Sequence, residues 1–155
     1  MDARPKTAAT PRYALEISRL FDAPPSLVFK VWTTPEHLAR WWGPRNFSST
    51  TEILEFREGG RYRHLIHGPD GESYAMSGLF QEIVEPKRLV FTFSWDEGDF
   101  ADRVETLVTV SIAAEGGRTR LTFRQEPFAD VETRDSHADG WGESLYKLGI
   151  YLTAL

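Results

Sequence analysis

The chemistry open to this chain is narrowed by four histidines, five tyrosines and no cysteine. Without a thiol there is no disulfide, no zinc-thiolate site and no thiolate nucleophile. His64 and His67 stand three apart on a strand-like stretch. Their side chains therefore point to opposite faces and do not share a metal. There is no HExxH, no Gly-x-Ser-x-Gly, no phosphate-cradling glycine loop and no dinucleotide fingerprint, so neither a metal nor a cofactor is expected. His137 is the titratable group of most interest, because it precedes Trp141 by one helical turn. With an ordinary pKa near 6.5 it could anchor a ligand or shuttle a proton, and Tyr74 is the other candidate acid or base. A lone histidine without a positioned acid or nucleophile also reads as a helix-start residue bonded to a nearby loop. Arg45, after Trp41-Trp42-Gly43-Pro44, suits a ligand carboxylate or plain solvent.

These residues need a scaffold, and length and charge bound it. The 155 residues make one domain, with 18 Lys plus Arg against 23 Asp plus Glu. Net acidity argues against nucleic acid, whose binding needs a basic face. No apolar run approaches the roughly 20 residues of a membrane span. Residues 1–12 are polar and rich in Ala, Thr and Pro, and are expected to form a disordered lead-in. With no leader-like apolar stretch and no cysteine, a cytoplasmic setting is expected.

Leu15, Ile17 and Phe21 share a parity and predict a first strand over 13–21. Two short helices follow. The first starts near Pro25, and the second at Thr34-Pro35-Glu36, where a hydroxyl cap precedes proline and a carboxylate. Six further strands are expected at 50–56, 61–67, 74–83, 88–95, 105–114 and 119–124, divided by Gly59-Gly60, Pro69-Asp70-Gly71, Pro86-Lys87, Gly98 and Gly116-Gly117. A bulge is expected near Gln81, where Ile83 falls out of step. Trp141, Leu145, Leu148 and Leu152 form one stripe of a long C-terminal helix, with a start expected near Ser136. Glu143 and Lys147 read as an exposed i,i+4 pair.

One apolar sheet face and three helices imply an α+β fold in which a seven-stranded antiparallel sheet curls around the long helix. A cavity is expected between them, walled by Trp32, Trp41, Tyr62, His64, Tyr74, Met76, Phe91, Phe93, Trp95, His137, Trp141 and Leu145. Aromatic walls with a few polar tips suit a small-molecule pocket, but the same residues also suit a plain aromatic core. An open pocket above about 300 Å³ would favour ligand binding or catalysis, and a filled interior a surface-mediated role.

Phe21-Asp22-Ala23-Pro24-Pro25, Val31-Trp32-Thr33, Pro35 through Pro44, Gly59-Gly60-Arg61-Tyr62, Pro69-Asp70-Gly71, Pro86 through Thr92, and His137 with Gly140-Trp141 occur in an order that resembles the AHSA1-like family. That family is named after the activator of the Hsp90 ATPase, and the resemblance spans about Tyr13 to Leu155. It implies a START-like helix-grip fold of the SRPBCC superfamily over 13–155, whose members enclose hydrophobic ligands between sheet and C-terminal helix. The function expected is binding of a small apolar or amphipathic molecule by a monomer or weak dimer, without catalysis. The alternatives are a co-chaperone-like partner of an Hsp90-type ATPase, or a cyclase- or hydrolase-like enzyme using His137 or Tyr74.

Overall fold

The alternating apolar residues of the chain build seven strands, and their order in the sheet decides where a site can form. The structure, a computed structural model, describes residues 12–96 and 105–155. The lead-in expected before Arg12 and the turn at Gly98 lie outside the described residues. The strands are β1 (Tyr13–Phe21), β2 (Ser48–Leu54), β3 (Arg61–His67), β4 (Ser73–Val84), β5 (Arg88–Trp95), β6 (Thr106–Glu115) and β7 (Arg118–Phe128). They form one antiparallel sheet in the order β1-β7-β6-β5-β4-β3-β2. The first strand thus pairs with the last, with Tyr13 opposite Phe128 and Phe21 opposite Thr119.

Because β1 and β2 occupy opposite edges, the chain between them must cross the sheet. Helices α1 (Pro25–Lys30) and α2 (Pro35–Leu38) make that crossing. Pro25 opens α1, and Thr34 caps α2 by accepting the His37 N–H at 3.3 Å. Both starts were expected from the sequence. The last helix, α3 (Val131–Thr153), lies in the concave face against β1 and β7. Gly149 permits this close approach, since a Cβ there would stand 3.3 Å from the Phe21 ring.

The inward parities agree with the sequence reading: Tyr62, His64 and Ile66 are buried on β3, and Val108, Val110 and Ile112 on β6. The β4–β5 register shifts between Phe80 and Glu82, at the expected bulge. The start of α3 is a correction. Its cap is Asp130, whose carboxylate accepts the Thr133 N–H at 2.7 Å, and Ser136 lies inside the helix. The first turn, Val131 to Arg134, carries no apolar stripe, so periodicity alone began the helix late.

Candidate functional site

Where the curved sheet and α3 diverge, a cavity of about 260 Å³ remains open. It is smaller than the 300 Å³ set by the sequence argument. Ile66, Tyr74, Met76, Phe93 and Trp95 come from β3, β4 and β5, whose period of two turns these side chains inward. Ser136, His137, Gly140, Trp141 and Ser144 come from α3, and Trp42, Gly43, Pro44 and Phe47 from the segment between α2 and β2. Among the described residues, none that lines the cavity is charged.

The aromatic rings brace one another. Trp141 meets Trp42 edge to face with centroids 5.0 Å apart and lies 4.4 Å from Phe123, while Phe93 and Trp95 stand at 90° and 5.5 Å. A buried polar chain fixes Trp141. Its Nε1–H donates to Gln125 Oε1 at 2.9 Å, Gln125 Nε2 donates to Thr106 Oγ1 at 2.9 Å, and that hydroxyl donates to the Phe93 carbonyl at 3.1 Å. Because an indole N–H only donates, the Gln125 amide orientation follows.

His137 is committed at both nitrogens. Trp95 Nε1–H donates to its Nε2 at 3.0 Å, so its Nδ1–H donates to the Thr133 carbonyl at 2.9 Å. The ring is therefore the neutral Nδ1–H tautomer. Burial pushes its pKa below the ordinary histidine value, against a smaller opposing effect from the Thr133 carbonyl. The Tyr74 hydroxyl has no hydrogen-bond partner among the described residues.

The Gly43–Phe47 wall is strapped to α3. Gly43 N–H donates to Ser144 Oγ at 3.1 Å, Arg45 N–H to Glu143 Oε1 at 2.9 Å, and Lys147 Nζ to the Pro44 and Phe47 carbonyls, each at 3.2 Å. Glu143 and Lys147 are thus half-buried loop anchors and not the exposed pair expected. Desolvation lowers the Lys147 pKa, with Glu143 opposing. Positive φ at Gly43 (106°) and Asn46 (68°) turns the wall inward. The Arg45 side chain is exposed and does not line the cavity.

Of the expected wall residues, Tyr74, Met76, Phe93, Trp95, His137 and Trp141 line the cavity. Trp32, Tyr62, His64 and Phe91 instead border a separate inner void of about 10 Å³. Trp41 is wholly buried, its Nε1–H donating to the Val31 carbonyl at 3.0 Å, and Leu145 is wholly buried where α3 sits on the sheet. Neither lines the cavity. Phe47, Ile66, Ser136, Gly140 and Ser144 do, without having been expected there, and so does Trp42, which the sequence puts near the cavity mouth at the end of the second short helix. Ile66 continues the inward parity of Tyr62 and His64, and Gly140 and Ser144 flank Trp141 one turn apart, so the pattern held a signal for these. Among the described residues, no three His, Asp or Glu side chains converge to hold a metal ion. No helix among the described residues is long and apolar enough to cross a membrane.

The family model for activator of Hsp90 ATPase homolog 1-like proteins matches residues 22–153. This chain belongs to the AHSA1 family. The AHSA1 match includes every residue that lines the cavity. Among solved structures, the AHSA1 protein of Silicibacter pomeroyi is similar at 26% identity and a TM-score of 0.82, with 92% of this chain and 99% of that one covered. A protein of Chromobacterium violaceum is similar at 25% identity and a TM-score of 0.83, covering 90% and 96%. A protein of Mycobacterium smegmatis follows at 26% and 0.78, covering 92% and 91%. No curated protein matches the chain. With its sheet gripping α3, this AHSA1 chain has the helix-grip fold expected from the sequence.

Proposed function

We propose that this AHSA1 domain binds a small, neutral, largely apolar molecule in the cavity between sheet and α3, and that it does so without catalysing a reaction. The observation that carries this reading is the aromatic cavity of about 260 Å³ with no charged lining side chain among the described residues. A cavity of about 150 Å³ accepts benzene, and drug-sized ligands take about 300 Å³ or more. The volume therefore suits a bicyclic aromatic better than a sterol or a long acyl chain. A carboxylate inside would find no cation, and burying it unpaired is costly. His137 supports the non-catalytic reading, since accepting or giving a proton would first break its bond to Trp95 or Thr133.

The test is a titration with 1-indanone, indane and palmitate, read by calorimetry and by tryptophan emission, since Trp42, Trp95 and Trp141 line the cavity. Binding of the bicyclic compounds with a change in emission is expected. Failure of both to bind, or tighter binding of palmitate, would refute the proposal. Stimulation of an Hsp90-type ATPase by the domain would favour the chaperone role that the family name suggests.

A further inference from the structure

Trp32 is only 3% exposed, and its Nε1 is the one fully buried side-chain nitrogen or oxygen without a hydrogen-bond partner among the described residues. An indole N–H has no other role than donor, and a buried donor left unmet costs as much as a lost hydrogen bond. Native interiors seldom keep one. The ring borders the inner void of about 10 Å³, which Phe80, Phe91 and Leu89 make apolar on most sides. Trp42 is a wall of both this void and the ligand cavity. The volume is that of roughly one water-sized sphere, which needs about 10–15 Å³.

Three other side chains around the void carry polar atoms: Trp42, whose indole N–H can only donate, Tyr62 and His64. The Tyr62 hydroxyl donates to the Thr92 carbonyl at 2.6 Å, so its proton is used. His64 bonds to Thr51 Oγ1 through Nδ1 at 3.0 Å, and its Nε2 has no partner among the described residues. Burial pushes the His64 pKa down to about 3, so the ring is neutral at pH 7.

We infer that the inner void is a binding site for a single oxygen atom that accepts the Trp32 Nε1–H and is completed by His64. The oxygen comes either from a water or from the carbonyl or hydroxyl of a ligand that has passed the Trp42 ring. A water or hydroxyl both donates and accepts, and so meets either tautomer of His64, whereas a carbonyl requires Nε2–H. The ligand source rests on the proposed binding function, but the water source does not.

The decisive change removes the donor without changing the ring: β-(3-benzothienyl)alanine at position 32 replaces the N–H by sulfur. If an oxygen occupies the void, the folding equilibrium constant falls by about three- to tenfold. An unchanged or raised constant in the free protein excludes water as the source, and one that is also unchanged or raised with 1-indanone at saturation overturns the inference, because the donor is then unmet in both states. Cross-relaxation between water and the Trp32 indole proton of the unaltered protein gives a second reading. Its presence in the free protein assigns the oxygen to water. A shift of that proton with 1-indanone and not with indane assigns it to a ligand. Absence of both overturns the inference even where the variant fails to fold, and the water measurement holds whether or not 1-indanone binds.

Discussion

At the scale of single residues, two buried histidines give the protein an acid-sensitive stability. Desolvation lowers the pKa of His64 to about 3 and that of His137 in the same direction. The unfolded chain therefore takes up protons first as the pH falls. Their contribution is full above about pH 6.5 and is lost as the pH drops towards the folded values. Between pH 6.5 and 5, above most carboxylate titration, His64→Leu should flatten the slope of unfolding free energy by about 0.7 kcal/mol per pH unit at the upper end and about 1.3 at the lower, measured by urea denaturation. Gln125→Met should strand the Trp141 N–H and remove the bond that the Thr106 hydroxyl accepts, while its bond to the Phe93 carbonyl stays, at a cost of about 1–3 kcal/mol with altered tryptophan emission. His137 could be placed from sequence because it leads the Trp141 stripe by one turn. Its bonds to Trp95 and Thr133 were hidden, since one of them joins strand to helix across the fold. Gln125 shares the parity of Leu121 and Phe123, so a polar residue in an inward row was the signal that went unread.

At the scale of elements, α3 serves as a rod that also carries fittings for the cavity wall. Glu143, Ser144 and Lys147 each hold the Gly43–Phe47 segment, so mutations on the helix should be felt in the loop. Lys147→Met keeps the apolar stem but leaves two carbonyls without their ammonium. A loss of about 1–3 kcal/mol is expected, with faster amide exchange at Gly43 and Phe47 than in β6 and β7. Equal acceleration everywhere would mean that the strap is not local. The strands were legible because alternation and turn residues coincide, as in β5 and β6. The two roles of the tryptophan pair were not. Trp41 and Trp42 are adjacent and chemically identical, and only the packing of α2 against the sheet decides that Trp42 faces the cavity while Trp41 is sealed behind it.

At the scale of the whole molecule, the open cavity sets stability against binding. Gly140 sits on α3 at the mouth, where an added Cβ would meet only Pro44 Cγ, at 3.9 Å. Gly140→Leu therefore starts from a Cβ with ordinary clearance, should put its side chain into the cavity, and should gain about 0.5–1 kcal/mol of helix propensity. The expected outcome is a higher Tm and no calorimetric heat with 1-indanone. In the unaltered protein, ligand at 100 times its Kd should add about 2.7 kcal/mol to the unfolding free energy. A variant that still binds would place the ligand elsewhere. The sheet order has a further consequence, for the newborn chain. Tyr13 leaves the ribosome 115 residues ahead of its partner Phe128. At about 5–20 residues per second, β1 waits roughly 6–23 s for its neighbour. Through that interval its apolar side, Leu15 and Phe21, is a natural target for holding chaperones, and zipping this edge strand onto β7 completes the sheet before α3 closes over it.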